Sequence, residues 1–110
     1  MAETIYLDNN ATTRMADEVL EVMLPFLKED YFNPSSSYPQ AQKPADAIET
    51  ARELAARLLG AGAKTEILFT GGATEANNGA LWGALRANPR RRHIVTTTVE
   101  HPAVLEVVAE

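Results

Sequence analysis

The sequence predicts an α/β fold, with a mostly parallel sheet and crossover helices. Two observations support this class: a β-prone run, a glycine turn and a helical segment follow one another over residues 66–87, and the same order begins again at His93. Alternating strands and helices are typical of parallel sheets, in which each helix crosses from one strand to the next. Parallel sheets are normally buried on both faces and contain more strands, so we expect this sheet to be incomplete.

The N-terminal part predicts an extended arm, a turn and an amphipathic helix. Residues 4–7 form a short β-prone run, and Asp8-Asn9-Asn10 ends this run with residue types that favour turns. From Ala16 to Lys28 the apolar residues recur at helical spacing, and two acidic residues occupy the first turn. We therefore expect an arm and loop over residues 1–15, followed by a helix.

A loop rich in proline and serine separates this helix from the next. Residues 30–44 contain Asn33-Pro34, three consecutive serines and two further prolines, a composition that opposes helix formation. A second helix is predicted from Ala45 to Leu59, because its apolar residues share one face and Gly60 supplies the usual left-handed stop.

The second half of the chain repeats the order of strand and helix. Residues 66–70 are β-prone and too short for a helix, Gly71-Gly72 follows them, and helical composition then runs from Ala73 to Ala87. Residues 93–97 repeat the strand signature, and Pro102 stands where the first turn of another helix would begin. The fold class depends on this succession.

Composition and charge exclude several classes of protein. The chain of 110 residues has ten basic and fifteen acidic side chains, and this balance opposes extended binding to nucleic acid. Its apolar runs are well short of the roughly 18 residues that a membrane-spanning helix needs, so we expect no membrane segment and a cytoplasmic protein. Because there is no cysteine, this stretch holds no disulfide, thiolate metal site or cysteine nucleophile, and we predict no metal site.

The segment Gly71-Gly72-Ala73-Thr74-Glu75 is a candidate phosphate site. It lies between a predicted strand and a predicted helix, so free N–H groups, the positive end of the helix dipole and the Thr74 hydroxyl could face an anion. Glycine also lets the backbone approach phosphate oxygens closely. Taken alone, such a segment more often only turns the chain, with the threonine satisfying the helix end. It matches neither the nucleotide-triphosphate loop nor the dinucleotide fingerprint.

His101 is a candidate ligand-contacting residue. It follows a predicted strand and precedes Pro102, which places it at the carboxyl end of that strand, where α/β sheets bind their ligands. An imidazole there could stack on a ligand or move protons, although a lone histidine more often fills the loop before a helix.

Four motifs occur in order along the chain. They are Ile5-Tyr6-Leu7-Asp8-Asn9-Asn10-Ala11-Thr12-Thr13, Asn33-Pro34-Ser35-Ser36, Ile67-Leu68-Phe69-Thr70-Gly71-Gly72-Ala73-Thr74-Glu75-Ala76-Asn77-Asn78 and Val99-Glu100-His101-Pro102-Ala103-Val104-Leu105. In order and spacing they resemble the N-terminal part of the cysteine desulfurases of iron–sulfur cluster and nitrogenase assembly. The resemblance covers essentially the whole chain, and four ordered motifs are more specific than any one of them.

The resemblance implies a fold type I pyridoxal-phosphate enzyme, normally a homodimer, of whose mostly parallel sheet this chain holds only the beginning. Such an enzyme takes sulfur from L-cysteine, releases L-alanine, and passes the sulfur, held as a cysteine persulfide, to an acceptor or scaffold protein. Residues 16–110 would then comprise helices and the first part of the large cofactor-binding domain, after the arm and loop over residues 1–15.

The resemblance also implies roles for individual residues. Ala73 and Thr74 match the positions that bind the cofactor phosphate. His101 matches the histidine that stacks on the pyridoxal ring and assists proton transfer, which makes it the candidate catalytic residue. The positions that match substrate-side loops are Asn10, Ala11, Thr12 and Asn33.

Two positions depart from the family pattern, and two catalytic residues of the family lie outside this stretch. Phe32 and Tyr38 stand where relatives often have glycine and histidine. The Schiff-base lysine and the persulfide-forming cysteine of the family come far downstream, and no histidine precedes Lys28, Lys43 or Lys64. We therefore expect these 110 residues to be part of a longer gene product, inactive and poorly stable by themselves.

The sequence leaves two alternatives open. A selenocysteine lyase-like relative would share the phosphate-binding turn and the stacking histidine, although the Asp8-to-Thr13 and Glu100-His101-Pro102 motifs favour a desulfurase. The other alternative is a shortened, non-catalytic module that binds pyridoxal phosphate or a partner protein, and such a module would fold stably by itself.

Overall fold

The computed structural model describes residues 5–91 and 93–109. Within these residues the regular elements are four α-helices and two short 3₁₀-helices. The chain divides into two compact units, Met1–Glu66 and Ile67–Glu110. Each unit is built around its own helices, and the predicted boundary at residue 15 stays a prediction.

The first α-helix, α1, spans Asp17–Lys28, one residue shorter at its start than predicted. Acidic residues in its first turn and Lys28 in its last turn complement the helix dipole. Its end is fixed by the Pro25 carbonyl, which accepts hydrogen bonds from the N–H groups of Glu29 and Asp30 at 2.8 and 2.9 Å. No residue of α1 is buried, so its predicted apolar face is exposed in this unit.

The second α-helix, α2, spans Gln42–Leu59 and follows a 3₁₀-helix over Pro39–Ala41. The predicted start at Ala45 was wrong by three residues, because the prediction treated Pro44 as part of the loop. Proline is tolerated in the first turn of a helix, where its missing N–H has no intrahelical acceptor. The predicted stop is confirmed, since Gly60 adopts the left-handed conformation at φ 69°.

Ion pairs join α2 to a second 3₁₀-helix, Lys64–Glu66. The Lys64 ammonium lies 3.1 Å from the Glu49 carboxylate and 3.0 Å from that of Glu53. Hydrogen bonds from Arg52 and Lys64 lower the pKa of Glu49, and those to Glu53 and Glu49 raise the pKa of Lys64. The cluster is solvent-exposed, so we expect only a modest contribution to stability.

The second unit contains the helices α3, Ala73–Ala87, and α4, Pro102–Ala109, which pack against each other. Both agree with the sequence prediction, including the bounds of α3 and the position of Pro102 as the first residue of α4. The α3 helix ends where the side-chain amide of Asn88 donates a hydrogen bond to the Ala84 carbonyl at 3.1 Å.

The predicted strands are not formed among the described residues. Thr4 lies outside them, Glu66 belongs to a 3₁₀-helix, and residues 67–70 and 93–97 are neither helix nor strand. Leu68 and Val95 are 81% and 97% exposed. A strand takes its backbone hydrogen bonds from another segment, so β propensity alone cannot complete one. The sheet therefore stays a prediction.

Little apolar surface is buried. The buried residues of the described part are small, namely Ala41, Pro44, Ala56 and Ala103. Large apolar side chains are exposed in both units, for example Leu7 at 84%, Leu58 at 86% and Val95 at 97%. Many apolar side chains therefore stay in contact with solvent unless another surface covers them.

Candidate functional site

The turn before α3 is built by Thr70 and Glu75. The Gly71 N–H donates a hydrogen bond to the Glu75 carboxylate at 2.7 Å. In a capping box, the glutamate at the third helical position accepts from the N–H of the N-cap residue; here Glu75 accepts from Gly71, the residue before the N-cap. The Thr70 hydroxyl donates to the Gly72 carbonyl at 3.1 Å, and the Ala76 N–H donates to the same oxygen. No side chain caps α3 at Gly72. In this turn, therefore, Thr70 and Glu75 make the side-chain hydrogen bonds, and Thr74 does not satisfy the helix end.

The groups predicted to face a phosphate are left unused by the turn. In the described part of the chain, three groups form no hydrogen bond: the Thr74 hydroxyl, the Ala73 N–H and the Thr74 N–H. Both residues are exposed. The positive end of the α3 dipole adds to the attraction for an anion.

Gly72 leaves open space beside these groups. Its backbone is extended, at φ 168°, a conformation open to any residue. A Cβ built on Gly72 would meet nothing within 4 Å. The missing side chain thus keeps a clear approach to the first turn of α3, which fits a phosphate group held by backbone N–H groups and one hydroxyl.

His101 begins α4 and uses one of its two ring nitrogens to do so. The Ala103 N–H donates a hydrogen bond to His101 Nδ1 at 3.1 Å, and the His101 carbonyl accepts from Val104 at 2.8 Å and Leu105 at 3.2 Å. The side chain is exposed. His101 therefore does occupy a helix-start position, and its Nε2 remains available for a ligand.

The helices that carry the two candidate positions pack against each other. Their C-terminal parts line one cavity of about 710 Å³, with Trp82 and Leu85 from α3 and Val107 and Val108 from α4. The starts of the two helices carry the Gly71-to-Glu75 turn and His101. This cavity includes neither start.

The substrate-side residues Asn10, Ala11 and Thr12 lie in an exposed turn of the first unit. The Asp8 carbonyl accepts hydrogen bonds from the Ala11 N–H at 3.1 Å, from the Thr12 N–H at 3.4 Å and from the Tyr6 hydroxyl at 2.8 Å. The turn predicted after residue 7 is therefore present.

Asn33 uses its own side chain to form a turn. Its Oδ1 accepts a hydrogen bond from the Ser35 N–H at 2.9 Å, and its carbonyl accepts one from Ser36 at 3.0 Å. The structure therefore shows Asn33 forming its own turn, and its substrate-side role stays a prediction.

The two residues that depart from the family pattern contact each other. The rings of Phe32 and Tyr38 meet edge to face with centroids 6.1 Å apart, and Tyr31 stacks on Phe32 at 5.2 Å. Sequence reasoning noted each departure separately and missed the contact. Its signal was the placement of aromatic residues on both sides of the Asn33-to-Ser37 loop.

Among the described residues, two lysine side chains are held in ion pairs, and neither a metal-ligand cluster nor a membrane-spanning helix is found. The Lys43 ammonium pairs with the Asp30 carboxylate, and Lys64 pairs with two glutamates. Within residues 5–91 and 93–109, no group of three or more His, Cys, Asp or Glu residues could hold a metal ion. In the same residues, no helix combines the length and apolar character needed to cross a membrane.

Comparisons with known proteins agree with the motifs. The family described as aminotransferase class-V matches residues 5–110. A cysteine desulfurase of Cereibacter sphaeroides is 57% identical over 94% of this chain and 27% of its own length. The cysteine desulfurase NifS of Azotobacter vinelandii is 48% identical over 94% of this chain and 26% of its own length.

A solved structure titled NIFS-like protein also resembles the chain. It is 42% identical, has a TM-score of 0.79, and is matched over 92% of this chain and 28% of its own length. The chain thus spans about a quarter of the length of the curated relatives it matches.

Proposed function

The chain belongs to the aminotransferase class-V family, and on that premise we propose that it is the N-terminal quarter of a pyridoxal-phosphate-dependent cysteine desulfurase. The reaction converts L-cysteine to L-alanine and passes the sulfur as a persulfide to an acceptor or scaffold protein, for iron–sulfur cluster or related assembly. Relatives at 48% to 57% identity that bear the name cysteine desulfurase support this substrate class. A cytoplasmic homodimer is part of the proposal.

The observation that carries the proposal is the architecture of the turn before α3. Glu75 and Thr70 make the bonds that hold this turn, so the N–H groups of Ala73 and Thr74 and the Thr74 hydroxyl are available to a phosphate. The Glu75 carboxylate is held on the Gly71 N–H, and Gly72 leaves open space at the helix start. These features fit the phosphate of pyridoxal phosphate.

His101 is the residue proposed to assist proton transfer beside the cofactor ring. When bound, pyridoxal phosphate supplies an electron sink that stabilises negative charge on the substrate carbon. The exposed imidazole of His101 would lie against the ring and face the ligand with Nε2, because Nδ1 already accepts the Ala103 N–H. Substrate-side contacts are proposed for Asn10, Ala11 and Thr12 and for the loop that Asn33 shapes through its own turn.

We infer that two chemical functions come from outside these 110 residues. There is no cysteine to carry the persulfide. Lys43 and Lys64 are held in ion pairs, and the raised pKa of Lys64 opposes the neutral amine that a covalent link to a carbonyl requires. No histidine precedes Lys28. The 110 residues are therefore proposed to be inactive by themselves.

The reading frame provides the first test. The coding DNA should be sequenced beyond the Glu110 codon. A frame that continues into a segment of the form Ser-x-His-Lys and then to a cysteine is the expected result. A stop codon directly after Glu110 would contradict the desulfurase and favour a non-catalytic module. A continuing frame that lacks the cysteine would also contradict it.

A further inference from the structure

His101 makes a hydrogen bond that fixes which of its nitrogens can carry a proton. The Ala103 N–H points to His101 Nδ1 at 3.1 Å in a partly buried position. A donor directed at a ring nitrogen requires a lone pair there, so Nδ1 acts as the acceptor. In a neutral imidazole the single ring proton is then on Nε2.

The start of α4 explains why this bond should persist. Pro102 is the first helical residue and has no N–H, so the Ala103 N–H is the first donor of the helix. It has no intrahelical acceptor, and Ala103 is only 7% exposed. Leaving this donor without the imidazole would leave a buried N–H unsatisfied, which is costly. The neighbouring Glu100 carboxylate already accepts the Thr97 hydroxyl at 2.9 Å.

We propose that the backbone N–H of Ala103 is a positioning group that holds His101 as the Nε2-protonated tautomer and fixes the orientation of its ring. The consequence for catalysis rests on the proposed function: Nε2 is then the nitrogen that His101 presents to a ligand, and in the neutral ring it offers a hydrogen-bond donor there. The helix start, and not a neighbouring carboxylate, sets the tautomer.

The chain contains its own control. It has two histidines, and among the described residues no hydrogen bond reaches the ring of His93. His93 should therefore populate both tautomers, as a solvated imidazole does.

The test uses the full-length protein labelled with ¹⁵N-histidine and a two-bond ¹H–¹⁵N correlation, which separates protonated from unprotonated ring nitrogens. The signals lost in His93→Gln and in His101→Asn identify these two rings among those of the full-length protein. We expect His101 to show an unprotonated Nδ1 and a protonated Nε2 at pH 8, and His93 to show an average of both tautomers. If His101 shows the same average of both tautomers as His93, the proposal is overturned. A ring protonated on Nδ1 does so as well.

Two variants separate the positioning role from the chemical one. His101→Asn places an amide oxygen near the Nδ1 position and keeps an acceptor for Ala103, whereas His101→Gln keeps an N–H near the Nε2 position and loses that acceptor. Hydrogen exchange of the Ala103 amide should stay near the wild-type rate in the Asn variant and rise about five-fold or more in the Gln variant. Equal exchange rates in the two variants would overturn the proposal. Full turnover of the Asn variant would instead count against the proposed function and leave the tautomer result standing.

Discussion

The Asn33-to-Ser36 turn and the Gly71-to-Glu75 turn are built in opposite ways. In the first, the motif asparagine makes the turn itself, since Asn33 Oδ1 accepts the Ser35 N–H. In the second, Glu75 and Thr70 make the bonds, and Thr74 makes none with its side chain among the described residues. The motif residue is therefore occupied in one turn and available in the other.

This difference shows how the same residue types divide between structure and binding. A polar side chain that forms its own turn cannot offer the same atom to a ligand, whereas one whose turn is held by neighbours can. His101 combines both situations, because Nδ1 accepts the Ala103 N–H while Nε2 is available. Replacing His101, Glu75 and Asn33 tests this comparison, and the expected effects decrease in that order.

Replacing His101 should have the largest effect. In the desulfurase that carries this chain, His101→Ala should lower turnover by about 10²–10⁴-fold, the usual contribution of a positioned general acid or base. Steady-state assays of alanine release measure it, with His93→Ala as the matched control. Loss of turnover in both variants alike would remove the special role of His101.

Replacing Glu75 tests whether a neighbour holds the second turn. Glu75→Ala removes the acceptor of the Gly71 N–H and should lower the free energy of unfolding by about 0.5–2 kcal/mol, the range for a helix-capping bond. Denaturant titration of the full-length protein measures the loss. Glu75→Gln keeps an acceptor and should lose less. A wild-type unfolding free energy in Glu75→Ala would show that the turn is held by other contacts.

Replacing Asn33 tests the first turn. Asn33→Ala removes one hydrogen bond and should cost about 0.5–1.5 kcal/mol of stability. Asn33→Asp keeps the acceptor and should cost less. Because the side chain is used by its own turn, cofactor affinity should not change in either variant. If Asn33→Ala bound the cofactor more weakly and kept its stability, Asn33 would act in binding and not in its turn.

The smallest effect concerns the ion pairs between α2 and Lys64. The pKa of Glu49 is lowered by Arg52 and Lys64, so the stabilisation from this carboxylate is present above its ordinary pKa of 4.5 and is lost as the pH falls through the lowered value. An NMR titration of the Glu49 carboxyl should therefore have a higher midpoint in Lys64→Gln than in the wild type. The difference should shrink in high salt. Identical midpoints at low salt would show that Lys64 does not act on Glu49.

The helices could be predicted from the sequence because their hydrogen bonds are local. The bounds of α3 and the stop at Gly60 follow from residues within one turn of each other. The start of α2 was missed because Pro44 signals a loop and a first helical turn equally well. The strands are a different case, since residues 67–70 and 93–97 need hydrogen bonds from segments that their own sequence does not specify.

The sequence predicted which residues form the candidate site better than it predicted their hydrogen bonds. Residue type and spacing pointed to Thr74 and His101. They did not show that Glu75 holds the turn or that Nδ1 of His101 is the bonded nitrogen, because these contacts depend on side-chain rotamers. A glutamate at the third helical position was the available signal for the first contact. For the edge-to-face contact of Phe32 with Tyr38, the available signal was the pair of aromatic residues that flank the Asn33-to-Ser37 loop.

The central claim is that the turn before α3 binds the cofactor phosphate through groups that the turn does not use for itself. The most direct measurement is the dissociation constant of pyridoxal phosphate from the full-length desulfurase carrying Thr74→Val, compared with Thr65→Val, an exposed threonine of the first unit. A hydrogen bond to a charged group contributes about 1.5–3 kcal/mol, so Thr74→Val should bind the cofactor about 10-fold or more weakly while Thr65→Val binds as the wild type does. Equal dissociation constants for Thr74→Val and the wild type would contradict the claim.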